Sequence, residues 1–137
     1  MRVLLDTNIV LDLLLEREKF FENSKKIFEK IENNEIEGYL CATTITTIHY
    51  LVTKAYDKDR ANEIIKELLK LFEIVDVNKS ILLKATLNNG TDFEDSVIYS
   101  GAECFNIDII ITRDKKGFKN SNIKVLNPNE FLTKENL

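Results

Sequence analysis

Five short apolar runs rich in β-branched residues are spaced along the chain at residues 3–5, 39–41, 74–77, 109–111 and 123–126. Most lack strict apolar/polar alternation, so they read as strands buried on both faces. Helical patterns lie between them. In residues 57–72, Ala61, Ile64, Ile65, Leu68, Leu69 and Phe72 recur at helical spacing while Lys and Glu fill the other face, which predicts a helix packing one stripe on a core. The spacing of Phe20, Phe21, Ser24, Ile27, Phe28 and Ile31 predicts another, ended by Asn33-Asn34, and residues 80–87 predict a shorter one. Strands alternating with helices pair in parallel through right-handed crossovers. The expected architecture is therefore a three-layer α/β/α sandwich with a central, mostly parallel five-stranded sheet. A length of 137 residues without repeat or linker fits one domain over 1–137.

Composition removes several classes of function. A 44% hydrophobic share with one Pro argues against disorder. The apolar stretch at 9–15 is interrupted by Asp12 and falls short of the roughly 20 residues that span a bilayer. The start, MRVLLDTN, reads as a first strand rather than a signal peptide, so a cytoplasmic protein with no membrane association is expected. Cys41 and Cys104 have no partner at metal-ligand spacing, and both are expected to be buried, reduced thiols. His49 has no second histidine with which to hold zinc and is expected to be an ordinary core or surface residue. A net charge of -4 gives no global attraction to a polyanion, so any nucleic-acid contact must be local.

In open parallel sheets, ligands sit at the carboxyl ends of the strands, so the acids found there matter most. Asp6 follows the first run directly. Capping the next helix would account for it, but Thr7 and Asn8 can both cap, which leaves Asp6 spare. In Thr91-Asp92-Phe93-Glu94-Asp95, Thr91 and Glu94 have capping-box spacing, which gives Glu94 a structural task. Asp92 and Asp95 remain on one face of the first turn, where the helix dipole favours negative charge. Asp114 comes three residues after Ile111. Three separate segments thus bring acids to one rim. Crowded carboxylates repel, and a hard divalent ion would let them all stay ionised. Oxygen-only ligands select Mg²⁺ or Mn²⁺ over zinc, and the chemistry that follows is phosphodiester hydrolysis. Around Asp114, the basic residues Arg113, Lys115, Lys116, Lys119 and Lys124 are either solvated loop charges or contacts for substrate phosphates.

These segments, LLDTNIVLDLLL, DFEDSVIYSGAECFNIDIIITRD and a final strand followed by NPNEFL, together resemble a PIN domain over nearly the full length. The resemblance implies an α/β/α fold and a Mg²⁺- or Mn²⁺-dependent ribonuclease site, most often that of VapC-type toxins. Such toxins are commonly homodimers inhibited by a small antitoxin protein, with RNA as substrate. Asp6, Asp95 and Asp114 match the family's catalytic acids and metal ligands, with Asp92 in a position that is often also acidic. Asn8, Thr47, Arg113, Lys115 and Lys116 are the expected substrate contacts. Two positions depart from the pattern. Thr47 stands where the family usually has a Glu, and Gly117 stands where some toxins have an Asp before the residue that is Phe118 here. One ligand charge is missing at position 47, for which Glu94 or Asp92 could compensate, or activity is lowered. The alternative is a PIN-fold RNA-binding or regulatory module with little or no nuclease activity. A phosphotransfer domain of the dehalogenase or response-regulator kind also places Asp after a first strand, but the dehalogenase pattern wants a second Asp where Asn8 stands.

Overall fold

A computed structural model of the chain describes residues 1–88 and 92–135. The strands are β1 (Arg2–Leu5), β2 (Glu37–Cys41), β3 (Glu73–Val75), β4 (Ile109–Ile111) and β5 (Lys124–Leu126). They form one sheet in the order β3-β2-β1-β4-β5, and every pairing is parallel. The expected mostly parallel sheet is thus wholly parallel. The helices are α1 (Thr7–Leu14), α2 (Phe21–Glu32), α3 (Ala42–Ala55), α4 (Lys58–Leu71), α5 (Lys79–Ala85), α6 (Phe93–Cys104) and α7 (Pro128–Glu135), with a short 3-10 turn at Lys115–Phe118.

Alternating strand residues feed two separate cores. Val3, Leu5, Leu40, Ile109, Ile111 and Leu126 pack with Ile9, Val10, Ile27, Phe28, Ile48, Val52, Leu68 and Phe131 on the face covered by α1, α2, α3, α4 and α7. Leu4, Tyr39, Cys41, Val75 and Ile110 pack with Ile81, Ala85, Val97, Ile98 and Ala102 on the face covered by α5 and α6. A sheet buried on both sides has no solvated face, which is why its strands read as continuous apolar runs in the sequence. The stripe foreseen at 57–72 becomes α4, with Asp57 as its N-cap and Phe72 as its C-cap. Asn34 turns the chain after α2 at φ 60°, a left-handed conformation that Asn tolerates better than most residues.

Strand and helix ends shift by a residue or two from their expected limits, notably β3, which stops at Val75. Cys41 is buried as expected, but Cys104 is exposed because it closes α6 on the outer side of that helix. His49 sits half-buried and hydrogen-bonds the Asn62 side chain across α3 and α4 at 2.7 Å. Among the described residues, no helix is long and apolar enough to cross a membrane.

The strand order fixes where the chemistry can sit. From the central β1 the chain runs outward through β2 and β3, then returns to the other side for β4 and β5. The order reverses between β1 and β4, and the crevice beyond their carboxyl ends is where such sheets bind ligands.

Candidate active site

Asp6 stands at this reversal. Its backbone N–H continues the ladder by donating to the Ile111 carbonyl at 2.9 Å, which pins the residue to the end of β4. Its side chain is nearly sealed, at 6% exposure. One carboxylate oxygen accepts from the Thr7 backbone N–H at 2.8 Å, and the other accepts from the Thr112 hydroxyl at 2.6 Å. Asn8 donates to that second oxygen at 3.4 Å. The expectation that Asp6 would be spare is therefore corrected, since it is the N-cap of α1. The extended backbone at Asp6 places its carboxylate over the first turn, whereas Thr7 and Asn8 already lie inside the helix.

The second acidic segment is also rearranged. Asp92 is the N-cap of α6 and accepts from the Glu94 and Asp95 backbone N–H groups at 2.9 and 3.4 Å. Thr91, expected to cap this helix, lies outside the described residues. With Asp92 satisfying the helix start, Glu94 is left to line the site together with Thr47 of α3. The capping-box role expected for Glu94 is accordingly replaced by a place in the site.

One open concavity is lined by Asp6, Asn8, Thr47, Glu94, Asp95 and Asp114, with Leu11 and Leu51 among its apolar walls. The electrostatics record the crowding. Burial pushes the Asp95 carboxyl up to about 7, and Asp6, Asp92, Asp114 and Glu94 push it in the same direction. Asp6 is raised first by burial, against the opposing bonds from Thr112 and Thr7, with Asp114 adding repulsion. Glu94 is raised by burial and then by the charges of Asp6 and Asp92. Position 117 faces the same acids, because a Cβ added to Gly117 would overlap the Asp95 carboxylate. Any side chain there would force Asp95 to move.

The expected tight cluster is looser than foreseen. Although Asp6, Asp95 and Asp114 line one concavity, no three acidic, histidine or cysteine side chains among the described residues close together as ligands of one metal ion. The donor set is nevertheless all oxygen, and hard divalent ions commonly keep several waters while taking only one or two carboxylates. The residues present would fit a divalent cation that takes one or two carboxylates directly.

Two of the basic residues have other employment. Arg113 grips Asp12 through two hydrogen bonds of 2.7 and 3.0 Å, and its guanidinium stacks over Phe20 at 3.9 Å from the ring centroid. Asp12 is fully buried and also meets Arg17 at 3.3 Å. Lys115 pairs with Glu130 at 3.0 Å. Lys116 is exposed beside Asp114. The sequence reading gave no role to Thr112, which is fully buried, donates to Asp6 and accepts from the Asp114 backbone N–H at 3.0 Å. Its signal was a polar residue directly after an apolar strand.

Comparison with known proteins agrees with this geometry. Ribonuclease VapC1 of Aquifex aeolicus (strain VF5) is 29% identical over 140 residues, covering 98% of this chain and 96% of the relative. The DNA-bound VapBC structure from Salmonella typhimurium superposes with a TM-score of 0.72 at 14% identity, over 93% of this chain and 98% of that one. VapBC-1 from nontypeable Haemophilus influenzae gives 0.70 at 17% identity, over 94% and 99%. The family model described as PIN domain matches residues 2–116, which include every acid of the concavity, and the chain belongs to the PIN domain family.

Proposed function

We propose that this protein is a divalent-metal-dependent endoribonuclease and the toxin of a toxin–antitoxin pair. The observation that carries the reading is the concavity at the sheet reversal, which gathers Asp6, Glu94, Asp95 and Asp114 and in which burial first, and then the neighbouring acids, push Asp95 up to about 7. A site that resists holding all its negative charge is one that a divalent cation stabilises. Membership of the PIN family and the relative named Ribonuclease VapC1 support the choice of RNA as substrate.

In this reading Asp6, Asp95 and Asp114 hold Mg²⁺ or Mn²⁺, directly or through water. When bound, the ion supplies an activated water and offsets charge on the phosphate. Thr112 and the Thr7 N–H fix the Asp6 carboxylate in one orientation, and Asn8 braces it. Lys116, exposed and two residues after Asp114, is the basic side chain we assign to a substrate phosphate. Arg113 and Lys115 act from behind, Arg113 by anchoring the loop that carries Asp114 to Asp12. Asp92 serves as the cap of α6 rather than in the chemistry. We place the protein in the cytoplasm as a homodimer restrained by a small antitoxin, a partnership suggested by the toxin–antitoxin complexes among its structural neighbours.

Incubating the purified protein with total RNA and Mg²⁺ or Mn²⁺, followed by sequencing of the cut ends, tests the reading. Metal-stimulated cleavage should be present in the parent and lost in Asp6→Asn and Asp95→Asn. Thr47 in place of an acid, and the looseness of the three aspartates, favour a second reading as an RNA-binding module of the same fold. Equal background in parent and both variants, with RNA still retained, would establish that alternative.

A further inference from the structure

We propose that Glu94 is an additional acidic group of the cation site, so that α6 supplies the negative charge that α3 lacks. The inference rests on the divalent-cation reading above and deepens it.

Two acids, Asp92 and Glu94, could make up the charge missing at position 47, and the geometry separates them. Asp92 spends its carboxylate on the backbone of its own helix and does not line the concavity. That same bond satisfies the Glu94 N–H, which leaves the longer Glu94 side chain with no capping task. Glu94 lines the concavity with Asp6, Asp95, Asp114 and Thr47. A threonine hydroxyl carries a single proton to donate, and here it shares the concavity with the carboxylate of Glu94. The two helices have thus divided the work, with α3 providing the donor and α6 providing the charge.

The electrostatic neighbourhood agrees. A glutamate at position 47 would add a like charge to the concavity that Glu94 already lines, whereas Thr47 adds none. Groups that orient or surround the ligands of a metal commonly change its affinity by about 10- to 100-fold when removed.

Mn²⁺ alone is the probe, with free ion measured by electron paramagnetic resonance in the absence of RNA and folding checked by circular dichroism. Glu94→Gln keeps the shape but removes the charge, and it should weaken Mn²⁺ binding about tenfold or more. Asp92→Asn, which still caps, should change it by less than about threefold. The exchange variant Thr47→Glu with Glu94→Thr should bind within about threefold of the parent, because the charge returns from the other wall. Parental affinity in Glu94→Gln, equal losses in Glu94→Gln and Asp92→Asn, or an exchange variant as weak as Glu94→Gln would each overturn the proposal. A parent that binds no Mn²⁺ overturns the cation site and this inference together. Because the ion is measured without RNA, a parent that binds Mn²⁺ but cuts nothing counts against the nuclease reading alone.

Discussion

Replacing Thr112 by Val removes one oxygen and preserves the shape of a fully buried side chain. Two bonds disappear, the 2.6 Å bond from the hydroxyl to Asp6 and the 3.0 Å bond from the Asp114 N–H to the same oxygen. Asp114 is exposed, so water can take over its N–H. Asp6 has no such relief, since it is 6% exposed and its second oxygen keeps only the long 3.4 Å contact from Asn8. A hydrogen bond to a charged group contributes about 1.5–3 kcal/mol, and nearly all of it should be lost here. At about 2.1 cal/mol/K of unfolding entropy per residue, a domain of this length drops about 3.5 °C in midpoint per kcal/mol, so the variant should melt about 5–10 °C lower. Thermal and urea unfolding at pH 8, where Asp6 is most strongly driven to ionise, measure the loss. The same substitution in an Asp6→Asn background should cost only about 0.5–1.5 kcal/mol, because a neutral acceptor remains. If the two backgrounds lose equal stability, Thr112 is not holding a charged Asp6.

Other outcomes follow from the same geometry. Asp95 is held near 7, against an ordinary 3.8, and Asp6 and Glu94 shift in the same direction. In the window between those values the folded protein binds more protons than the unfolded chain, so without divalent ions stability should fall as pH rises from about 4 to about 7. Added Mg²⁺ or Mn²⁺ should flatten this slope, and a urea midpoint that instead rises with pH in metal-free buffer would contradict the crowded-acid reading. Arg113→Ala leaves the fully buried Asp12 with only the 3.3 Å contact to Arg17, and it should destabilise the fold by about 3 kcal/mol. An unchanged melting midpoint with weakened RNA binding would instead return Arg113 to the substrate.

The fold was legible because its physics is local and repetitive. A sheet covered on both faces demands continuous apolar strands, and helices laid on it demand a single apolar stripe, so residues 3–5, 109–111 and 57–72 announce their states without help from distant chain. That Asp6 and Asp114 stand at strand ends follows from the same pattern, and the chain reversal between β1 and β4 then brings them to one rim. Which end of a helix a given acid caps was less legible. Thr7 and Asn8 are as able as Asp6 to cap α1 by residue type, and only the extended backbone at Asp6 decides between them.

What the sequence could determine by itself was the alternation of elements, the parallel sheet it compels and the acids placed at its rim, since each depends on neighbours within a turn or a strand. Tertiary structure alone decided the partners. Arg113 meets Asp12 across 101 positions, Thr112 meets Asp6 across 106, and Glu94 comes to share a concavity with Thr47 of another helix. Hydrogen bonds and ion pairs act over a few ångströms in space with no regard for separation along the chain, so residue types can nominate such pairs but only packing selects them.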